Sequence, residues 1–457
     1  MTEPSSAPVN SCAKPHREHS TVADVVAGGL CTCCGACTVV CSSRAIGMKE
    51  TPAGLLHPAI DQALCTECGR CARVCPGPGL DLRFDESVDL FHGVVLDAWL
   101  ASASSTSIRE AGQSGGAVGA LTTFLLESGN VDACATTVMP DDGAFHAHGI
   151  IARDCEDLSR GQKSKYRPSA TVAALADCAP TDRVAFVGLP CHIHGVELLC
   201  RDSAPPGARV SFRIGLVCDR TLMGIGTDQL AREAGLAKED VRGITYRDKK
   251  RFGWPGELSF RLASGATSYA PSTLRFGLKE YATPPRCRVC FDKMNVLSDI
   301  VAGDPWGVAE SSDGYSVLLV RTAAGRQLVA EAHKNGYLDL ERLEPARVIA
   351  GQLIEGHVAE YHAYTRAWTR AKLAPPAVNG LHHVQLQGWQ GLRGMRQRIL
   401  LWTNLYVSRG RSRRNSLWRL RMSRRAVKCI YLPARIASGL RRRILKALSS
   451  SPRKKSQ

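Results

Sequence analysis

Eight cysteines fall in two runs of identical spacing, and no other feature of the 457-residue chain limits its fold so tightly. The first is Cys31-Thr-Cys-Cys34-Gly-Ala-Cys37-Thr-Val-Val-Cys41; the second is Cys65-Thr-Glu-Cys68-Gly-Arg-Cys71-Ala-Arg-Val-Cys75-Pro76. Both fit C-x2-C-x2-C-x3-C, the bacterial pattern in which three thiolates hold one 4Fe-4S cube and the fourth crosses to a second cube. Two-residue gaps wrap a tight loop round one cluster, and a short helix carries the last thiolate across. The spacing assigns Cys31, Cys34, Cys37 and Cys75 to one cluster, and Cys65, Cys68, Cys71 and Cys41 to the other. Gly35 and Gly69 stand where each loop is most crowded. Structural zinc usually takes two close cysteines and a distant second pair, so four cysteines packed together favour iron. Ser42 replaces the proline that follows the last cysteine of the second run. Cys33, inside the first run, could compete as a ligand and is expected to be a bystander.

The whole chain has 19 cysteines, and a disulfide framework suits a small secreted protein better than one of this size. Residues 1–19 lack the apolar run of an export signal, and nowhere do 18 apolar residues follow one another. The expected location is therefore cytoplasmic. The formal charge of +17 is concentrated at one end. No Asp or Glu follows Glu360, and twenty Lys and Arg lie beyond residue 380, which leaves about −3 for the rest. The body is nearly neutral and the tail strongly basic.

After a polar lead-in (1–23) and the two-cluster module (24–85), apolar strands alternate with helical segments through residue 375. A helix is expected from Ser114 through Leu121, Phe124 and Leu125, stopped by Gly129. Strands are expected over 131–138, 184–187, 210–218 and 315–321, with a helix over 327–334. This alternation predicts an α/β body. The fold class is thus α/β: a bacterial ferredoxin-like module, the body over 86–375, and a basic helical tail over 376–457, divided at Pro375-Pro376. Four further cysteines, Cys191, Cys218, Cys287 and Cys290, mostly follow a strand or a proline-rich turn. Such loops collect ligand groups in α/β proteins, so these thiols are a candidate third cluster site.

Residues 30–320 resemble the beta-subunit family of coenzyme F420 hydrogenase/dehydrogenase. The resemblance is carried by Ser114-Gly115-Gly116, Ser164-Lys165-Tyr166, Gly188-Leu189-Pro190-Cys191, and Tyr246-Arg247 through Trp254-Pro255-Gly256. It continues in Arg286-Cys287-Arg-Val-Cys290-Phe-Asp292 and Ser298-Asp299-Ile300 to Gly303-Asp304. The family includes flavin-containing subunits that reduce the deazaflavin and ferredoxin-dependent reductases of chlorophyll-type pigments. The resemblance implies FAD in the body, an iron–sulfur cluster nearby, and an oxidoreductase that exchanges electrons with a redox partner protein or the deazaflavin coenzyme. A non-catalytic electron-transfer subunit is the alternative.

The residues permit this role without requiring it. Ser114, Gly115 and Gly116 ahead of a helix offer free N–H groups to a phosphate or a flavin carbonyl, and equally make a plain tight turn. Lys165 suits the flavin N1/O2 region, and equally a solvated surface. The run Arg247, Lys249, Lys250 and Arg251 could receive an acidic cofactor tail, and equally makes a plain solvated loop. Asp304 reads as a turn residue, and His192 and His194 as local polar packing. In the tail, Leu392, Met395, Ile399, Trp402 and Tyr406 recur at helical spacing, as do Ile436, Leu440, Ile444 and Leu448. Arg-rich amphipathic helices favour an anionic membrane surface, at the inner face of the cell membrane, over the rival partner, nucleic acid.

Overall fold

The computed structural model describes residues 20–202, 209–381 and 390–427. Its centre is an eight-stranded mixed sheet. Across the sheet the strands run Leu338–Leu343, Asp97–Ala103, Ser316–Val320, Ile300–Gly303, Arg209–Leu216, Arg183–Gly188, Ala133–Val138 and His148–Ala152. The four from Ile300–Gly303 to Ala133–Val138 are mutually parallel, and antiparallel strands flank them on both sides.

Alternation along the strands divides the core in two. Val184, Phe186, Val317 and Leu319 face one side, with Ile193 and Val196 of the helix Pro190–Arg201. Ala185, Val187, Leu318 and Val320 face the other, under Leu121 and Leu125 of Ala117–Glu127 and Leu328 and Val329 of Ala323–Lys334. Both faces of a mostly parallel sheet are covered, which is why its strands read as continuous apolar runs. The expected elements are present; the helix expected over 327–334 begins earlier, at Ala323, where Thr322 caps it.

The cysteine runs lie on the first face, where Cys34, Ala36, Val40 and Val74 join the same core as Phe186 and Ile193. The hairpin Ile46–Glu50/Leu56–Ile60 separates the runs. A three-stranded antiparallel sheet, Val241–Asp248, Glu257–Leu262 and Thr267–Ala270, forms a second apolar centre with Leu222, Met223 and Ile225.

The tail differs from expectation. Packing does not end at Pro375-Pro376: Ala377–Val378 pairs with Gly79–Leu80, and the helix Gln390–Ser408 returns to the body. Leu400, Leu401 and Leu405 are buried with Trp368, Tyr364, Val22, Leu30, Cys37 and Cys75. A second helix over 413–427 is tied down by Arg413 on Asp228 (2.7 Å) and by Arg424 on Glu233. The sequence reading missed this because the chain's basic charge masked a separate seam of leucines. Leu392's side chain and the stripe Ile436, Leu440, Ile444 and Leu448 lie outside the described residues, as does most of the lead-in.

Candidate functional site

The first cysteine run turns on Gly35, at φ +88°, where a Cβ would stand 3.0 Å from Ala170 and Ala173. Only glycine fits that turn without displacing its neighbours. The helix Ala36–Val40 then carries Cys37 inward. Cys31, Cys34, Cys37 and Cys75 line one small cavity, with Cys33 in the same wall. Desolvation drives the Cys37 thiol well above its ordinary value, as do neighbouring Cys34, Cys75, Cys31 and Cys71. Cys71 is raised by desolvation and by Cys68 and Cys41. Cys65 begins the second run, its N–H donating to the Asp61 carbonyl at 3.1 Å. Thiols that raise one another cannot ionise together without a cation, and clustered iron supplies one. The Cys33 thiol, that of Cys31 and a ring nitrogen of His57 lie within 4.8 Å of one another.

The four dispersed cysteines also converge. Cys191 sits in the first turn of Pro190–Arg201, and Cys218 just beyond the strand Arg209–Leu216, its N–H donating to the Lys293 carbonyl at 3.0 Å. Cys287 and Cys290 flank the end of the short helix Pro285–Arg288. Desolvation pushes Cys191 far up, and so do Cys218, Cys34, Cys287 and Cys290. Cys290 is pushed to about 11, chiefly by desolvation. The two arms are clasped by His194, whose Nε2 meets Asp292 at 2.8 Å while its ring stacks on Phe291. Bare Gly195 lets this helix approach the first cysteine loop, since a Cβ there would lie 3.3 Å from Cys34 Sγ. The dispersed thiols therefore adjoin the first cysteine group.

Cys218 also lines a cavity of about 270 Å³ at the carboxyl ends of the parallel strands. Open α/β sheets place ligands there. Ser114, Gly116 and Lys165 line this cavity, whereas Gly115 packs behind the turn, where a Cβ would stand 2.5 Å from the Ala101 carbonyl. Gly116 adopts φ +76° and starts the helix Ala117–Glu127, whose first residues line the cavity and whose start carries no side-chain cap. Gly119 adds a second bare position, and its Cβ would meet Ile108 at 2.9 Å and the Gln162 amide at 3.3 Å. Lys165 donates to the carbonyls of Gly161 (2.5 Å) and Gln162 (2.6 Å), and desolvation lowers it to about 7. Among the described residues, Gln162 Oε1 and two nitrogens of Arg167 are buried without partners. Arg167 pairs with Glu50 at 2.8 Å through its third nitrogen, and a glycine cradle, an open helix start and the two remaining Arg167 nitrogens fit a phosphate-bearing cofactor.

Residues 98–176 match the N-terminal part of the coenzyme F420 hydrogenase/dehydrogenase beta subunit, residues 181–346 its C-terminal part, and residues 30–77 a 4Fe-4S dicluster domain. The chain belongs to this beta-subunit family. It is similar to a coenzyme F420-dependent sulfite reductase of Methanocaldococcus jannaschii, 25% identical over 71% of this chain, and spans about half (49%) of that protein. It is also similar to a subunit of the F(420)H(2) dehydrogenase of Methanosarcina mazei, 24% identical over 73% of this chain and 91% of the relative. In fold it matches a chain of the F420-reducing NiFe hydrogenase complex of Methanosarcina barkeri, with a TM-score of 0.51 and 19% identity, covering 64% of this chain and 99% of that one.

Against this family background, the residues that sequence reading undervalued stand behind the Ser114 turn. Asp304, read as a turn residue, receives Arg247 on both oxygens (2.7 and 3.1 Å), Trp254 Nε1 at 3.3 Å and the Ser114 hydroxyl. Desolvation opposes its charge, but Arg247, Ser114 and Trp254 outweigh that and hold it below the ordinary carboxylate value. Lys249 donates to the carbonyls of Arg109 (2.6 Å), Asp313 (2.7 Å) and Ser114, and desolvation lowers it to about 8. Arg247 and Lys249 are thus buried props, not a surface for an acidic tail. The signal available was the pairing of Gly303-Asp304 with Tyr246-Arg247, each at the end of an apolar strand. His192 and His194 are occupied locally: His192 Nε2 meets the Ser169 carbonyl at 3.0 Å, and burial lowers the ring to about 4.

A second cavity, about 730 Å³, shares Tyr166, Arg247 and Asp304 with the first. On its wall Arg220, Arg275, Lys279, Lys293 and Arg347 outnumber Asp219 and Asp304, and Phe276 and Trp306 supply aromatic faces.

Proposed function

We propose that this chain is an iron–sulfur flavoprotein oxidoreductase that moves electrons between two N-terminal 4Fe-4S cubes, a third cube and FAD, and exchanges them with a small anionic acceptor or donor such as coenzyme F420. The carrying observation is the double membership of Cys218, in both the dispersed thiol group and the wall of the cofactor cavity. Cys31, Cys34, Cys37 and Cys75 would hold one cube, Cys65, Cys68, Cys71 and Cys41 the second, and Cys191, Cys218, Cys287 and Cys290 the third. The cubes supply one-electron transfer, and FAD exchanges single electrons on one side and a hydride on the other.

The chain's own residues order these groups. Cys37 neighbours Cys71, and Cys34 neighbours Cys191, so the three thiol groups adjoin in sequence. Ser114, Gly116, Gly119 and the helix behind them would receive the cofactor, with Lys165 and Arg167 facing its negative charge. Asp304 and Lys249 fix the Ser114 turn from behind. The second cavity suits a planar anion, because Arg275 lies over Tyr166 (4.2 Å to the ring centre) and Phe276 (4.4 Å) beside other cations. A non-catalytic electron-transfer subunit is the rival reading, since two of the similar proteins are themselves described as a subunit or part of a complex.

Anaerobic purification followed by flavin extraction tests the proposal. One FAD per chain is expected, with flavin lost and iron kept in Gly119→Leu, which fills the cradle from a regular helical position. Iron-replete protein without flavin would leave the rival. Gly116→Val is a poorer probe: at φ +76° its Cβ would press the Ile108 carbonyl at 2.8 Å and unmake the turn itself.

A further inference from the structure

The C-terminal helices carry two apolar sets, and among the described residues one is buried and the other exposed. Leu400, Leu401, Leu405, Val407 and Leu420 are buried. Met395, Trp402 and Tyr406 of Gln390–Ser408 are exposed, Trp402 by 57%. In the next helix Trp418 (52%) and Met422 (41%) are exposed four residues apart. Each helix therefore presents an outward apolar stripe, and the two meet where Arg419 lies over the Tyr406 ring at 4.4 Å. Two exposed tryptophans with two methionines and a tyrosine in 28 residues are not the scattered apolar atoms of an ordinary surface.

The charges beside these stripes have one sign. Among the described residues, Arg398, Arg409, Arg411, Arg414 and Arg425 have no carboxylate partner, unlike Arg396, Arg413 and Arg424. No Asp or Glu follows Glu360 anywhere in the chain. The described helices include none long and apolar enough to cross a membrane.

We propose that this face docks on an anionic lipid bilayer, with Trp402, Tyr406, Trp418 and Met422 entering the headgroup boundary and the unpaired arginines facing lipid phosphates. Amphipathic Trp and Tyr prefer that depth, and unpaired arginine favours an anionic leaflet. A nucleic acid would use the arginines but leave the methionines and most of the aromatic stripe in water. The surface holds the redox body at the membrane without spanning it, and this is independent of which cofactor the body carries.

The test is co-sedimentation of the full-length, iron-loaded protein with vesicles. Binding is expected to vesicles of phosphatidylcholine with about one-third phosphatidylglycerol, and to be at least tenfold weaker to phosphatidylcholine alone. The double variant Trp402→Ser, Trp418→Ser should weaken binding about tenfold at unchanged iron content, and quenching of tryptophan fluorescence by brominated lipid should fall with it. Replacing Arg398, Arg409, Arg411 and Arg414 by Gln should weaken the preference for anionic lipid. Equal binding by wild type and the tryptophan variant would overturn the proposal. So would failure to bind vesicles, whether the protein instead binds duplex DNA with steep salt dependence or self-associates through this face.

Discussion

The N-terminal thiols and the dispersed thiols end as neighbours but are built differently. The first eight come from 45 residues of chain, each run turning on a left-handed glycine, Gly35 or Gly69. The other four are spread over a stretch of 100 residues, from Cys191 to Cys290, and meet only because the sheet aligns the ends of Arg183–Gly188 and Arg209–Leu216 beside the loop from Pro284 to Asp292. A local site depends on its loop, whereas a dispersed site depends on the whole body. The second kind can therefore connect a cluster directly to a cofactor cavity.

Removing ligands separates the two most strongly. Cys37→Ala should cost about four irons and block reduction by an external one-electron donor, as followed by electron paramagnetic resonance. Cys290→Ala should also cost about four irons but leave the two N-terminal cubes reducible. Identical residual spectra would erase the distinction.

The same contrast explains what was legible from sequence. C-x2-C-x2-C-x3-C states its geometry, because spacing alone determines which thiols share a loop. Cys191 and Cys218 carry no such statement, and only their place after apolar strands pointed to one site. Asp304 was misread because its partners, Arg247 and Ser114, are 57 and 190 residues away. In the tail, helical spacing disclosed the outward stripe of Met395, Trp402 and Tyr406 but not the separate seam of Leu400, Leu401 and Leu405 that packs on the body.

The C-terminal helix next tests how far the N-terminal site is self-contained. Leu401 is fully buried in the cluster that contains Cys37 and Cys75. Ending the chain at residue 381 should destabilise the protein and release iron. Leu401→Ala alone should cost about 2–5 kcal/mol in denaturant unfolding. Full retention of iron and stability by the truncated chain would show the local site independent of the body.

On the cavity side, Asp304→Asn leaves Arg247 buried without its counter-charge. The expected cost is about 3–5 kcal/mol, with reduced flavin content. Because the Asp304 pKa is depressed on folding, its contribution is present above the ordinary carboxylate range near 4 and is lost as pH falls through the lower folded value. Acid unfolding should therefore differ between wild type and Asp304→Asn above about pH 4 and converge below it.

A smaller effect concerns Lys165, lowered to about 7 in the chain without ligand. An anionic cofactor favours the charged amine, so flavin affinity should fall as pH rises through about 7. Lys165→Met should bind more weakly and show a flat profile over the same range. A wild-type profile unchanged from pH 6 to about 9 would remove Lys165 from cofactor binding.

The most direct measurement combines iron content with bleaching of the flavin absorption band when anaerobic protein meets a reduced ferredoxin, a donor too large to enter the cavity. Wild type should contain about twelve irons and bleach rapidly, whereas Cys290→Ala should contain about eight, keep its flavin and bleach at least a hundredfold more slowly. A Cys290→Ala protein with full iron, or with flavin reduced at the wild-type rate, would contradict a path through the dispersed thiols.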